Sequence, residues 1–243
     1  MLGIISGTVM LQEMEILTNT EKVCKVTEFG EATLLVSDTI AFIPRHGLDP
    51  QQHVLPHLIN HKANIKALRD LGVSEIIGIN SSGSLHGDLR PGTIVIPDDF
   101  IMLSPYPSVY ANGQFHILPG LDLVIRNRCL EAAKDAGIEV IERGIYWQTA
   151  GPRLETKAEI KMMARFADLV GMTMAGEAII AKELALPYAA LCSIDNYAHG
   201  LGEKPLTMDE ISSHARRSGE KMIGIITKYI ENNSASQRTM KRS

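Results

Sequence analysis

The sequence predicts an α/β domain on a largely parallel or mixed sheet, because short apolar runs ending in Gly or Asn alternate with helical patterns along the whole chain. Small polar residues follow several of these runs, and the carboxyl ends of parallel strands are where open α/β sheets place ligands. Composition agrees: 243 residues with 45% hydrophobic and 21% charged side chains suffice for one substantial core and exclude disorder or low-complexity fibres.

The elements follow in order. Met1-Leu-Gly-Ile-Ile-Ser6 enters an apolar strand at once and runs into a small-residue turn, and Ile43-Pro44 ends another strand. Leu55, Ile59, Ala63, Ala67 and Leu71 recur every four residues before Gly72, which predicts an amphipathic helix with a glycine C-cap. A buried strand, Glu75 to Ile79, follows, and Pro91 to Pro97 brackets another. Leu121 to Ala136 reads as a helix closed by Gly137, Ile138 to Thr149 as a long strand, and a helix starts after Pro152. Leu169 to Met172 is a strand, Glu177 to Leu184 a helix and Pro187 to Ile194 the last core strand. A helix over Met208 to Ile230 closes a single domain of residues 1–231; the polar segment 232–243 reads as a frayed or disordered tail.

Several function classes are excluded. A net charge of -4 with no basic block gives no field for gripping a nucleic-acid backbone. No apolar run approaches the roughly 20 residues that span a bilayer, and the N-terminus carries no basic leader or small-residue cleavage site, so a cytoplasmic location is expected. Cys24, Cys129 and Cys192 are odd in number and far apart, with neither a disulfide framework nor metal-ligand spacing, and are expected to be reduced thiols.

Six short segments carry the polar chemistry. Gly3-Ile-Ile-Ser-Gly-Thr8 offers turn amides and the Thr8 hydroxyl to an anion, or is simply a tight turn. Arg45-His46 sets a guanidinium, able to make two parallel bonds to a phosphate, beside an imidazole; an exposed turn pair is the plain alternative. Asn80-Ser-Ser-Gly-Ser84 follows the most hydrophobic strand, and its amides suit an anion as well as an ordinary turn. In Ala150-Gly-Pro-Arg-Leu-Glu-Thr156, Glu155 is either a ligand carboxylate or a first-turn acid favoured by the helix dipole. Met172-Thr-Met-Ala-Gly-Glu177 sits at another strand end and puts the Thr173 hydroxyl beside Met172, an apolar side chain able to pack on a sugar ring or to fill core. Asp195 and Asn196 end the last apolar strand, where burial costs a few kcal/mol each unless they find partners.

In this order the segments resemble the trimeric purine nucleoside phosphorylase and methylthioadenosine phosphorylase family over about residues 1 to 230. The resemblance implies a three-layer α/β/α sandwich around a mixed, partly barrel-like central sheet, working as a homotrimer, possibly with trimers paired into hexamers. It implies a phosphate site of Thr8, Arg45, His46, Asn80, Ser81 and Thr173, with Met172 packing on the ribose. His116, in Phe115-His-Ile-Leu118, resembles a residue lent by a neighbouring subunit to the 5′ side of the sugar. Inorganic phosphate is then a co-substrate, and neither a metal nor an organic cofactor, a nucleic acid or a membrane takes part.

Hydrogen bonding at the base refines the expectation. A 6-oxopurine presents a ring N–H that a carboxylate accepts, whereas adenine presents a lone pair there, so Glu155 favours hypoxanthine or guanine. Aligned through Ala198 and Gly200, Asn196 falls on the asparagine that resembles the 6-oxopurine contact; a one-residue shift puts Asp195 on the adenine-directed aspartate instead. Gly-Pro-Arg-Leu-Glu-Thr156, Asn-Tyr-Ala-His-Gly200 and Pro-Leu-Thr-Met208 together look most like the S-methyl-5′-thioinosine phosphorylase branch, with Tyr106, His116 and the helix after Met208 around the 5′ group. The expected reaction is phosphorolysis of a 6-oxopurine nucleoside, S-methyl-5′-thioinosine first and inosine or guanosine second, with Asn196, Glu155 and His46 as its catalytic groups. The alternatives are S-methyl-5′-thioadenosine phosphorolysis, a nucleosidase using water, and a non-catalytic nucleoside-binding module.

Overall fold

The structure, a computed structural model, describes residues 1–7, 17–103, 105–202 and 208–240. Strand β1 (Leu2–Ser6) is buried along its whole length and lies between β4 (Ile40–Pro44) and β5 (Glu75–Ser84), parallel to both. A hairpin of β2 (Glu21–Thr27) and β3 (Gly30–Val36) extends the sheet past β4 in antiparallel fashion. The exposed outer edge β2 carries Lys22 and Lys25, the kind of charge that discourages pairing with another chain. On the other edge of β5, β10 (Tyr188–Tyr197) pairs in parallel from Ile76 to Ser84, and the two-residue β6 (Ile94–Val95) pairs antiparallel with β10.

The β1-facing edge of β5 changes partner midway. β1 pairs with Glu75 to Gly78; β9 (Leu169–Gly171) then takes Gly83 and Ser84 antiparallel and leads on to the parallel strands β8 (Ile145–Gln148) and β7 (Asp99–Met102). Residues 79–82 are left between two neighbours, and the sheet splits there.

Three layers follow from strand alternation. Ile5, Ile76, Ala190 and Cys192 face a cluster shared with α1 (His61–Asp70) and α4 (Met174–Glu183). Ile4, Ile77, Ile79, Ala189 and Leu191 face the opposite cluster, shared with α2 (Leu123–Asp135) and α5 (Met208–Met240). The expected α/β/α sandwich on a mixed sheet is therefore present. A smaller cluster packs α3 (Lys157–Met163) on Trp147 and Val170.

Several boundaries differ from expectation, each for a local reason. The helix expected from Leu55 starts only at His61, where the Asn60 side chain accepts from the Ala63 amide; Pro56 opens a 3₁₀ turn instead, and Leu55 is exposed. The strand expected over Ile138 to Thr149 is ordered as strand only from Ile145, because Ile141 makes a single bridge to Val95. Helix α4 starts at Met174, three residues before Glu177, and β10 runs to Tyr197, three past Ile194, since β5 continues beside it. Helix α5 passes the expected end at Ile230 and reaches Met240. Its Asn233 amide donates to Glu75 at 3.3 Å and Asn232 donates to Asp135 at 2.9 Å, which ties polar residues to the body. The β2–β3 hairpin and β7 had no periodic signal strong enough to be expected.

Candidate active site

Residues from two strand ends and from the middle of β5 meet in the gap beside β5. Arg45 follows β4, Asn80 sits on β5 just past the last β1 partner, and Thr173 follows β9. Arg45 Nη1 donates to Asn80 Oδ1 at 2.8 Å and to Thr173 Oγ1 at 3.0 Å, and the Thr173 hydroxyl donates to Asn80 Oδ1 at 3.0 Å. All three side chains are buried. With its oxygen engaged twice, the Asn80 amide is oriented, and its Nδ2 donor has no partner among the described residues. Thr8 lies outside the described residues. Ser81 is exposed next to this group.

The edge of the guanidinium expected to face a phosphate is turned instead to Glu177, a residue given no role from the sequence. Arg45 Nε lies 2.8 Å from Glu177 Oε1, and Nη2 donates to Glu177 Oε2 at 3.4 Å and to the Ile5 carbonyl at 2.9 Å. Tyr188 donates to Glu177 Oε2 at 2.8 Å. Burial pushes the Glu177 carboxyl up to about 7 although Arg45 and the Tyr188 hydroxyl both favour its charged form. The clue was available: Glu177 is the one charged residue in Met174-Ala-Gly-Glu-Ala-Ile-Ile-Ala181, the otherwise apolar first two turns of α4.

His46 stands beside the turn at Gly7, stacks on His53 with ring centroids 4.4 Å apart, and bonds the Val54 carbonyl through Nδ1 at 2.7 Å. That bond makes Nδ1 the protonated nitrogen. Burial, with the Arg45 and His53 charges, lowers its pKa to about 4, so the ring is neutral at pH 7 with Nε2 as acceptor. His61, at the start of α1, is fully enclosed and held neutral with a pKa lowered to about 3, first by burial and then by Arg45 and His46.

A second group of expected residues lies on the segments that follow β8 and β9 and at the end of β10. Glu155 is buried, with Oε1 accepting from the Thr149 hydroxyl at 2.7 Å. Its loop is fixed from both ends: Thr156 caps α3 in a reciprocal box with Glu159, and the Glu155 carbonyl lies 3.1 Å from His199 Nδ1, just past β10. Met172, half-buried, packs so closely on Gly151 that a Cβ there would fall 2.6 Å from its sulfur. Asp195 and Asn196 part company at a β-bulge, where the pairing of β10 with β5 shifts by one residue. Asp195 is wholly buried and takes the Ser193 hydroxyl at 2.9 Å, and burial raises its pKa against the hydroxyls of Ser81, Ser193 and Ser218. Asn196 stays half-exposed, its amide donating to the Tyr197 carbonyl at 2.9 Å.

His116 is not with these groups. It lines an outer cleft with Tyr106, Phe115 and Ile179, where Tyr110 and Phe115 stack at 4.0 Å and Tyr106, Phe115 and Leu118 are exposed. Glu183, at the end of α4, ties this loop down by accepting from the Ser108 hydroxyl at 2.9 Å and the Val109 amide at 2.6 Å. Among the described residues no group of three or more His, Cys, Asp or Glu side chains is arranged to hold a metal ion, and no helix is long and apolar enough to cross a membrane.

Comparison with known proteins places this geometry. The model of the phosphorylase superfamily matches residues 2–231. The chain is 39% identical over 236 residues to a probable 6-oxopurine nucleoside phosphorylase of Archaeoglobus fulgidus, covering 95% of this chain and 96% of that one. It is 35% identical over 237 residues to a probable S-methyl-5′-thioinosine phosphorylase of Methanocaldococcus jannaschii, covering 95% and 92%. Among solved structures, methylthioadenosine phosphorylase from Schistosoma mansoni in complex with adenine superposes with a TM-score of 0.85 at 24% identity, over 96% of this chain and 92% of that one. That last likeness is one of fold.

Proposed function

The chain belongs to the phosphorylase superfamily, and from that premise we propose that it is a purine nucleoside phosphorylase cleaving the N-glycosidic bond of 6-oxopurine nucleosides with inorganic phosphate. It is a pentosyltransferase. Relatives at 35–39% identity bear the names 6-oxopurine nucleoside phosphorylase and S-methyl-5′-thioinosine phosphorylase, and the adenine-directed alternative is not favoured. S-methyl-5′-thioinosine is the substrate proposed first, with inosine and guanosine secondary.

The observation that carries the reading is the buried meeting of Arg45, Asn80 and Thr173, which leaves the Asn80 Nδ2 donor without a partner among the described residues. In the proposed site these residues, with Thr8, His46 and Ser81, hold phosphate under the anomeric carbon, and Met172 packs on the ribose. As the bond from C1′ to the base nitrogen stretches toward an oxocarbenium-like state, a phosphate oxygen forms the new bond to C1′. The electron pair of the broken bond stays on the purine. Asn196 donates to the base, Glu155 accepts the ring N–H, and water or solvent supplies the proton to the leaving base. Phosphate is a co-substrate, and no metal or organic cofactor enters this scheme.

A homotrimer, or a hexamer of paired trimers, in which His116 reaches a neighbour's 5′ pocket, a cytoplasmic location and a catalytic unit within residues 1–231 complete the proposal. The exposed Tyr106, Phe115 and Leu118 beside His116 support the first of these. The test is base release from S-methyl-5′-thioinosine, inosine and S-methyl-5′-thioadenosine in parallel, with and without phosphate. Phosphate-dependent release fastest from the thioinosine is expected. Release fastest from the thioadenosine would move the base contact to Asp195, and release without phosphate would make the protein a hydrolase.

A further inference from the structure

Glu177 has no part in the scheme above, yet it is a carboxylate buried against Arg45 in the proposed phosphate cluster, with 1% of its surface exposed. A lone buried carboxylate is costly, and this one is held by three contacts: Arg45 Nε, Arg45 Nη2 and the Tyr188 hydroxyl. Room for that hydroxyl is provided by Gly78 on β5, where a Cβ would lie 1.9 Å from the Tyr188 oxygen and 3.0 Å from Glu177 Oε2.

The guanidinium is planar and rigid, so holding one edge directs the rest. Its Nε and Nη2 corner is engaged by Glu177, with Ile5 O as a further acceptor, and this aims Nη1 at Asn80 Oδ1 and Thr173 Oγ1. Nη1 in turn settles which end of the Asn80 amide is acceptor and which is donor. We propose that Glu177 is a positioning residue for phosphate binding: acting through Arg45, it fixes the Asn80 amide so that Nδ2 is presented as a preset donor to the anion. This rests on reading the cluster as the phosphate site. Charge alone argues the opposite way, since removing a carboxylate leaves the pocket more positive and favours an anion. The competing effect is loss of direction in a guanidinium whose Nη1 and Nη2 N–H groups are all committed within the protein and whose Nε faces Glu177 in an ion pair. We take direction to dominate, because a preset donor avoids reorganisation when the anion arrives.

Glu177→Gln, Tyr188→Phe and Asn80→Ala test this, with steady-state kinetics in both substrates and a thermal melt to establish folding. Glu177→Gln is expected to raise KM for phosphate at least about tenfold, the size of a misaligned charge-assisted hydrogen bond, while KM for the nucleoside moves less than about threefold. Tyr188→Phe, the milder change, should shift the phosphate KM in the same direction by about threefold and decides the matter if Glu177→Gln does not fold. A phosphate KM that is unchanged or lowered in folded variants, or equal losses for both substrates, overturns the proposal. Asn80→Ala separates the two levels: if it leaves the phosphate KM unchanged, the phosphate reading itself fails, whereas a rise there without one in Glu177→Gln sinks only the role of Glu177.

Discussion

The Thr149 hydroxyl lies 2.7 Å from one carboxylate oxygen of Glu155, and that bond joins the first residue after β8 to the loop before α3. Glu155 is thereby held in one orientation through its Oε1. Thr149→Val keeps the shape and removes the bond. Its kcat/KM for the preferred 6-oxo substrate should fall about two- to tenfold, corresponding to one neutral-to-charged hydrogen bond that orients but does not react. Unchanged kinetics on inosine would remove Thr149 from the site.

Replacing Glu155 itself probes base recognition. Glu155→Gln should lower kcat/KM for inosine by about ten- to a hundredfold while altering adenosine cleavage far less, because the amide can turn its NH₂ toward the adenine lone pair. The ratio of the two rates is the measurement. An unchanged ratio would show that Glu155 does not face the purine.

Acid should weaken the fold through its buried histidines. His61 and His46 resist protonation when folded, with pKa values lowered to about 3 and about 4 from 6.5, so below pH 6.5 the unfolded chain takes up protons that the native one refuses. Each such group costs about 1.4 kcal/mol of stability per pH unit until its folded pKa is reached. Glu177, raised to about 7 from 4.5, acts with the opposite sign between those values and offsets one histidine. A net loss from pH 6.5 to 5 remains. Urea titrations followed through Trp147, the single tryptophan, should show it. His61→Gln should flatten the slope; parallel slopes in the two proteins would contradict the assignment.

The loop bearing His116 depends on Glu183. Glu183→Ala removes the acceptors of the Ser108 hydroxyl and the Val109 amide, and the amide is left to find water. Faster hydrogen exchange confined to residues 105–119, with a stability loss of about 1–2 kcal/mol, is expected. Exchange rates that do not change there would mean that the loop is held by its stacked Tyr110 and Phe115 alone.

The sequence made the site legible wherever a strand end carried polar residues. Arg45, Asn80 and Thr173 are far apart in the chain and do converge, because Arg45 and Thr173 follow the ends of β4 and β9 while Asn80 lies on β5 just past its last β1 partner. Glu155, Met172 and the last strand end also come together. What stayed hidden was pairwise and geometric. That Arg45 turns its Nε and Nη2 edge to Glu177 depends on α4 packing against β5 and β10, which no local pattern encodes. The separation of Asp195 from Asn196 depends on a bulge, and bulges arise from how two strands fit rather than from either alone. Helix boundaries failed for a simpler reason: the spacing from Leu55 to Leu71 suits a helix, yet Pro56 and the Asn60 cap restrict it to the second half.

Gly78 and Tyr188 share one volume, since a Cβ on the first would overlap the hydroxyl of the second. In evolutionary terms the two positions behave as a single inherited character. A lineage that gains any side chain at position 78 must first shorten position 188, and in doing so it gives up the hydroxyl that holds Glu177. The route by which this pocket can drift thus passes through a residue that touches no substrate, and sequences that have lost Tyr188 are the ones in which position 78 is free to vary.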